Sequence, residues 1–352
     1  MSTLKDKVEA AAKALGVIVS SVEVDEGRAT ISIDLGDQDD RGARERLGHQ
    51  VRDAVKAIAG ITAVDVRIAG AVAARPLGPN DPLPEVKNVI LVMSGKGGVG
   101  KSTTATNLTL ALHRMGLRVG LLDADIYGPS IPTMLGVSGR PVSLDGKKIE
   151  PLTRFGVKLM SIGFLLDDPK AAVVWRGPML AGALQQFLRD VSWGELDFLV
   201  LDLPPGTGDV ALTLSQQMRA TGAVIVTTPQ PVATDDVFKS VSMCEKVNIP
   251  VLGVVENMST HVCSNCGHEE PIFGTGGGER MAAEYGVALL GRLPLDIRIR
   301  EESDSGQPTV IAEPGSNIAA TYREIGRKVA ARLSRQARNK SIGFPNIVIQ
   351  AT

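Results

Sequence analysis

The sequence predicts an α/β chain: a mostly parallel sheet flanked by helices, preceded by a small α+β domain in the order αββαβ. Three observations carry this expectation. Short apolar runs at 89–93, 118–122, 198–201, 223–226 and 251–255 have helical stretches between most of them. Strands buried on both faces of a parallel sheet read this way. A glycine-rich loop stands between the first of these runs and a helix. Ahead of them, residues 71–84 carry Pro76, Gly78, Pro79, Pro82 and Pro84, a semi-extended linker composition that marks a domain boundary.

The elements follow in order. Residues 4–15 place Leu4, Val8, Ala11 and Leu15 at helical spacing. Strands at 17–24 and 28–35 are joined by Asp25-Glu26-Gly27, a hairpin turn. Asp39 caps a helix running to about Ile58, with Leu47, Val51, Val55 and Ile58 on one face. Gly60 stops it, and 61–68 is a third strand. The expected organisation is therefore an accessory domain at 1–70, a Pro-rich linker at 71–86, a main domain at 87–338 and a tail at 339–352. Residues 259–278 read as loop, and the last helix spans about 317–338.

Composition narrows the function. Across 352 residues, 38 Lys and Arg offset 39 Asp and Glu, so the whole chain asks for no polyanionic partner. Only 12 residues are aromatic, too few for a base-stacking platform, and nucleic acid is not expected. No apolar run approaches the ~18–20 residues of a membrane helix. The first residues carry neither a secretory signal nor an acid-poor transit pattern. Three cysteines make no disulfide framework, so a reducing cytoplasm is the expected compartment.

The strongest local signal is Ser94-Gly-Lys-Gly-Gly-Val-Gly-Lys-Ser-Thr103. Its Gly95-x4-Gly100-Lys101-Ser102 spacing fits a phosphate-binding loop, and the fold expected is that of a P-loop NTPase. Gly95, Gly97, Gly98 and Gly100, with Lys96, Val99 and Thr103, can turn successive backbone N–H groups toward phosphates. Lys101 supplies a mobile charge to the terminal phosphates of ATP, and the Ser102 hydroxyl can ligate Mg²⁺. Asp123 and Asp125 end the second apolar run, at the strand edge where ligands bind in open α/β sheets. Asp202 ends the third run and opens Asp202-Leu-Pro-Pro-Gly-Thr-Gly-Asp209, a Walker B and switch pattern. Asp202 is expected to hold the Mg²⁺ water shell, Asp125 to orient the attacking water, and Asp123 to brace the loop or the metal shell. Gly206 and Gly208 let the switch respond to a γ-phosphate.

A second chemical centre is His261-Val-Cys263-Ser-Asn-Cys266-Gly-His268. Two thiolates at i and i+3 can grip a metal or one edge of a cluster, but cannot complete a four-thiolate site. Four options stand: zinc with His261 and His268, a redox disulfide, two cysteines from a second chain, or an inert pair. Cys244, between Val241 and Val247, reads as a buried small hydrophobe.

KGGVGKST, with its additional Lys96, resembles the deviant loop of the MinD/ParA and nitrogenase-iron-protein class. That resemblance implies that Lys96 reaches across a dimer to the partner's nucleotide, and that Asn257 reads the adenine edge. A turn-forming role is the alternative for Asn257. Taken with DADIYGPSIP, DLPPGTGD, the Thr227–Asp236 segment, ENMS and CxxCG, the chain resembles the Mrp/ApbC family of iron–sulfur cluster carrier ATPases from about Val86 to Arg338. The family implies a slow ATPase acting as a homodimer, with a [4Fe–4S] cluster held between two Cys263/Cys266 pairs. It further implies a donor scaffold that supplies the cluster and apo iron–sulfur proteins that accept it. The front domain resembles a small assembly domain of bacterial members, yet it holds no cysteine and no Asp-Pro-Glu motif, so a docking or structural role is expected.

A different class, the MinD/ParA positional switch on membrane or DNA, is the competing reading. Ile318, Tyr322, Ile325, Val329 and Leu333 line one helix face beside Arg323, Arg327, Lys328, Arg332 and Arg335. Such a helix can lie on anionic lipid. It can equally pack on the sheet with a solvated basic face, and this second placement is the expectation.

Overall fold

A computed structural model describes residues 3–25, 27–34, 41–68, 74–78, 80–125, 128–143, 146–165, 177–206, 208–263 and 265–341. Two compact units are present: Met1–Ala71 with Leu112–Leu117, and Val72–Ala111 with Arg118–Thr352. The Asp39 cap, the turn residue Glu26 and the tail beyond residue 341 lie outside the described residues.

The first unit runs α1 (Leu4–Lys13), β1 (Ile18–Asp25), β2 (Arg28–Asp34), α2 (Arg41–Lys56) and β3 (Ala63–Ile68). Thr3 starts α1: its hydroxyl accepts the Asp6 N–H while the Asp6 carboxylate accepts the Thr3 N–H. β1 and β2 pair antiparallel, and β3 joins β2 in parallel. Alternate residues Ala29, Ile31 and Ile33 of β2 meet Val8, Ala12, Val51 and Val55 in one buried core.

The second unit is built on β4 (Val89–Met93), α3 (Lys101–Arg114), β5 (Val119–Asp123), α4 (Ile131–Met134), β6 (Leu152–Arg154), β7 (Val157–Ser161), α5 (Gly177–Arg189), β8 (Phe198–Asp202) and α6 (Gly208–Gln217). It continues with β9 (Gly222–Thr227), α7 (Pro231–Lys246), β10 (Val251–Glu256), β11 (His261–Val262), β12 (Glu269–Glu270), α8 (Gly277–Glu284), β13 (Leu289–Arg292), α9 (Ile297–Asp304), α10 (Thr309–Ala312) and α11 (Asn317–Ser341). Among the described residues, eight strands form one sheet in the order β13-β10-β9-β4-β8-β5-β7-β6. All neighbours pair in parallel except β6, which returns antiparallel to β7 through the turn at Phe155 and Gly156.

β4, β5, β8 and β9 are buried along their whole length, which is why they carry continuous apolar runs without alternation. β6, β7 and β13 are the strands that apolar runs do not announce. β13 is half exposed and short, and β6 lies at the sheet edge with exposed residues. Residues 259–278 are also not all loop, because β11 and β12 form a small antiparallel hairpin.

The Pro-rich stretch is more than a spacer. Arg75 is buried, ion-paired with Asp81, and donates to the Leu83 carbonyl at 2.9 Å. Leu83 and Val86 enter the main hydrophobic core, and Val86 bridges to Leu196. A buried guanidinium requires a partner, and Asp81 supplies it. Residues 75–78 and 80–86 therefore belong to the second unit as a strap.

At the other end, Ile318, Tyr322, Ile325, Val329 and Leu333 of α11 are all buried. Ile325 packs so closely on Gly291 of β13 that a Cβ there would lie 2.7 Å from it. The apolar stripe faces the sheet, and Lys328 on its flank donates to the Leu290 carbonyl. No described helix is long and apolar enough to cross a membrane.

Candidate functional site

The phosphate loop leaves the C-terminal end of the central strand β4 and enters α3 at Lys101, as its spacing predicts. Two close approaches explain its glycines. A Cβ on Gly95 would lie 2.5 Å from Asp236 of α7, and one on Gly100, whose φ is +80°, would lie 2.2 Å from Asn257 Nδ2. The loop lines a cleft of about 200 Å³, together with Asp125, Ser130, Met134 and Pro205. Ser130 and Met134 come from the start and end of α4 and Pro205 from the loop after β8; of the three, Met134 lies outside the motifs read from the sequence.

Lys101 lies at the cleft's floor with only 6% of its side chain exposed. Its Nζ donates to Asp202 Oδ1 at 2.6 Å and to Ser102 Oγ at 3.2 Å, and lies 3.9 Å from Asp125 Oδ2. Asp202 Oδ2 is buried and has no hydrogen-bond partner among the described residues. An orphaned carboxylate oxygen beside a serine hydroxyl is a hard-cation donor set.

Asp123 and Asp202 stand opposite each other in the β5–β8 register. Asp123 accepts from the N–H groups of Asp125 and Ile131 and from the Ser161 hydroxyl, so it fixes the loop that carries Asp125. Burial, and then the charge of Asp202, pushes the Asp123 carboxyl up to about 8. Burial likewise pushes Asp202 upward, against the pull of the Lys101 ammonium. Thr207 lies outside the described residues, as does the Asp209 side chain.

Lys96 is half-buried at the mouth of the loop, its backbone carbonyl accepting from Ser94 Oγ at 2.9 Å. Asn257, 8% exposed, donates from Nδ2 to the Val99 carbonyl at 2.8 Å. The structure thus brings Asn257 onto the phosphate loop across 158 residues of sequence, a contact with no sequence signal.

Cys263 and Cys266 sit at the tip of the β11–β12 hairpin. The turn is closed by Cys263 N–H to the His268 carbonyl and by Gly267 N–H to the Cys263 carbonyl. The N–H groups of Cys266 and Asn265, then the Cys266 thiol, hold the Cys263 thiol below its ordinary range. Both thiols are free, Cys263 partly exposed and Cys266 fully. Among the described residues, no three His, Cys, Asp or Glu side chains converge on one point. His261 turns instead to the Leu295 carbonyl, 3.2 Å from its Nδ1. The four-ligand zinc option with His261 and His268 is therefore not assembled. Cys244 lies in the core with its Sγ 3.6 Å from Met93 Sδ, and burial pushes its thiol up to about 12.

A family model described as ParA, NUBPL iron-transfer P-loop NTPase, matches residues 85–330. The iron-sulfur cluster carrier protein of Escherichia coli strain K12 is 53% identical over 293 residues, covering 83% of this chain and 79% of its own. A nucleotide-binding protein of Archaeoglobus fulgidus, solved in complex with ADP, is 41% identical with a TM-score of 0.58. That match covers 66% of this chain and 90% of the other. The cell division ATPase MinD of Pyrococcus furiosus, at 24% identity and a TM-score of 0.52, shares the fold over 69% of this chain and 98% of its own.

Proposed function

The chain belongs to the ParA family of iron-transfer P-loop NTPases, and from that premise we propose how its two chemical centres work together. It is an ATPase that carries iron–sulfur clusters. The observation behind the finer reading is the cysteine hairpin: two free thiols stand at its tip without a third ligand among the described residues. Such a pair supplies half of a four-thiolate site, so a [4Fe–4S] cluster is held as cargo between two chains. The working unit is a homodimer, which receives its cluster from a donor scaffold and delivers it to apo iron–sulfur proteins.

On the nucleotide side, the loop from Gly95 to Thr103 wraps the phosphates of ATP with its N–H groups. Lys101 exchanges its contact with Asp202 for the terminal phosphates. Ser102 and the Asp202 carboxylate would hold Mg²⁺, which offsets phosphate charge when bound. Asp125, held in place by Asp123, orients the attacking water. Lys96, half-buried on the loop that lines the cleft, reaches the nucleotide of a second chain. Asn257 spends Nδ2 on Val99 and keeps Oδ1 for the exocyclic amine of adenine. The reaction compartment is the cytoplasm, as three cysteines in reduced form suit.

The positional-switch reading loses the feature that favoured it, since the apolar stripe of α11 is covered by the sheet. The test of the carrier reading is anaerobic reconstitution with iron and sulfide. The expected product is a brown dimer with about four irons per dimer. A stoichiometric cluster on a strict monomer, or one that survives loss of both Cys263 and Cys266, defeats the bridging arrangement.

A further inference from the structure

We infer that Asn257 is a positioning residue that joins the phosphate loop to the cysteine hairpin, so that nucleotide occupancy sets the exposure of Cys263 and Cys266. The inference rests on the two centres proposed above and adds the path between them.

The path is a continuous run of hydrogen bonds. It starts at the Val99 carbonyl, which accepts from Asn257 Nδ2 at 2.8 Å. Asn257 is tied to the sheet by its own N–H, 2.7 Å from the Thr227 carbonyl. Met258 then takes the left-handed region, with φ at +57°, a conformation that a long side chain rarely adopts and that turns the chain sharply out of β10. Ser259 donates from both its N–H and its hydroxyl to the Leu293 carbonyl, at 2.9 and 3.0 Å. Thr260 accepts from the Leu295 N–H at 2.7 Å, and His261 bridges to Leu295. Two residues later the hairpin turn begins at Cys263.

The joint at Val99 is built for contact at one distance. Gly100 has no Cβ, and any Cβ there would meet Asn257 Nδ2 at 2.2 Å. The peptide groups of Val99 and Gly100 belong to the loop whose N–H groups would face the phosphates, so on this proposal a bound nucleotide is felt at the Asn257 contact. Asn257 is buried, and an amide N–H that loses its acceptor away from water is costly to leave unpaired. The end of β10 therefore follows the loop rather than parting from it. Because Ser259, Thr260 and His261 are bonded to Leu293 and Leu295 just past the end of β13, the displacement reaches the hairpin base instead of dissipating in slack chain.

The experiment uses the full chain, reduced and free of cluster, and reads iodoacetamide alkylation of Cys263 and Cys266 by mass spectrometry. Rates are measured without nucleotide and with saturating MgADP or a non-hydrolysable MgATP analogue, occupancy being measured for each variant. In the native chain the nucleotide is expected to change the rate by about fivefold, the low end of ordinary coupling between sites. Asn257→Ala at equal nucleotide occupancy is expected to lose that difference, and Asn257→Gln to restore part of it. Ser259→Ala, which leaves every nucleotide-side atom in place, is expected to reduce it. Rates indifferent to nucleotide in the native chain overturn the proposal, as does a full native response in Asn257→Ala. An Asn257→Ala chain that cannot be saturated also overturns it, because the amide then belongs to ligand binding alone. The carrier reading fails separately: nucleotide-responsive thiols in a chain that reconstitutes no cluster would leave the joint standing and remove the cargo.

Discussion

Lys101 and Asp202 form a buried ion pair, Nζ to Oδ1 at 2.6 Å, with 6% and 0% of the side chains exposed. Under the proposed function the cation for phosphate is neutralised here by the carboxylate for the metal, and each would be released when ATP and Mg²⁺ bind together. Removing one partner leaves an uncompensated buried charge, which costs ~3–5 kcal/mol. Lys101→Met is therefore expected to lower the unfolding midpoint and to abolish nucleotide binding. Lys101→Met with Asp202→Asn is expected to recover much of the stability but none of the binding. Denaturant unfolding and fluorescent-nucleotide titration of both variants check this, and an unchanged midpoint in Lys101→Met would show that the pair adds nothing.

Lys96 makes a different prediction because it is half-buried on the loop, whereas Lys101 is buried against Asp202. Lys96→Ala is expected to bind ATP normally but to hydrolyse it more slowly. A trans-acting cation is worth ~10³–10⁵ in rate in comparable phosphoryl-transfer enzymes, which is the upper guide here. Turnover per chain should rise with protein concentration in native protein if the lysine acts across a dimer. Native turnover in Lys96→Ala removes that role.

The three cysteines should separate by chemistry. Cys263, held below the ordinary thiol range by two backbone N–H groups, and exposed Cys266 are expected to alkylate at neutral pH. Cys244, buried and pushed up to about 12, is expected to stay unlabelled until the protein unfolds. Cys263→Ser and Cys266→Ser should lose the cluster while retaining ATP binding, and Cys244→Ser should keep both. Peptide mass spectrometry and iron content decide the matter.

Asp123 gives the pH dependence. Its carboxyl is raised from 3.8 to about 8 by burial and by Asp202, so between those values the folded chain binds the proton more tightly than the unfolded chain. Stability falls with rising pH wherever the folded state holds more protons. The nucleotide-free protein is thus expected to lose stability as pH rises from about 4 toward 8, by at most ~1.4 kcal/mol per pH unit for one group. Asp123→Asn, which keeps the shape and removes the titration, should flatten that slope. Urea unfolding of both chains across this range tests it, and parallel slopes would assign the effect to other groups.

The sequence by itself determined what local physics encodes. Glycine spacing fixed the phosphate loop and placed Lys101, because a curled backbone ahead of a helix depends on adjacent residues. Fully buried strands announced themselves as the apolar runs of β4, β5, β8, β9 and β10, and the i, i+3 spacing marked the two cysteines as a candidate ligand pair. Only the tertiary structure decided which distant groups meet. β6 and β13 lie at the sheet margins, where half-exposed strands carry no continuous apolar run, and the run of β7, though mostly buried, is broken by Lys158. The strap at Arg75 and Asp81 reads as linker because prolines dominate its composition, although one buried ion pair and Leu83 dock it. The stripe of α11 suits lipid or sheet equally, and the sheet occupies it. Asn257 and Val99 are 158 residues apart, and their hydrogen bond exists only because β10 and β4 end at the same edge. Contacts of that kind are set by strand order, a property of the assembled sheet that no local residue pattern carries.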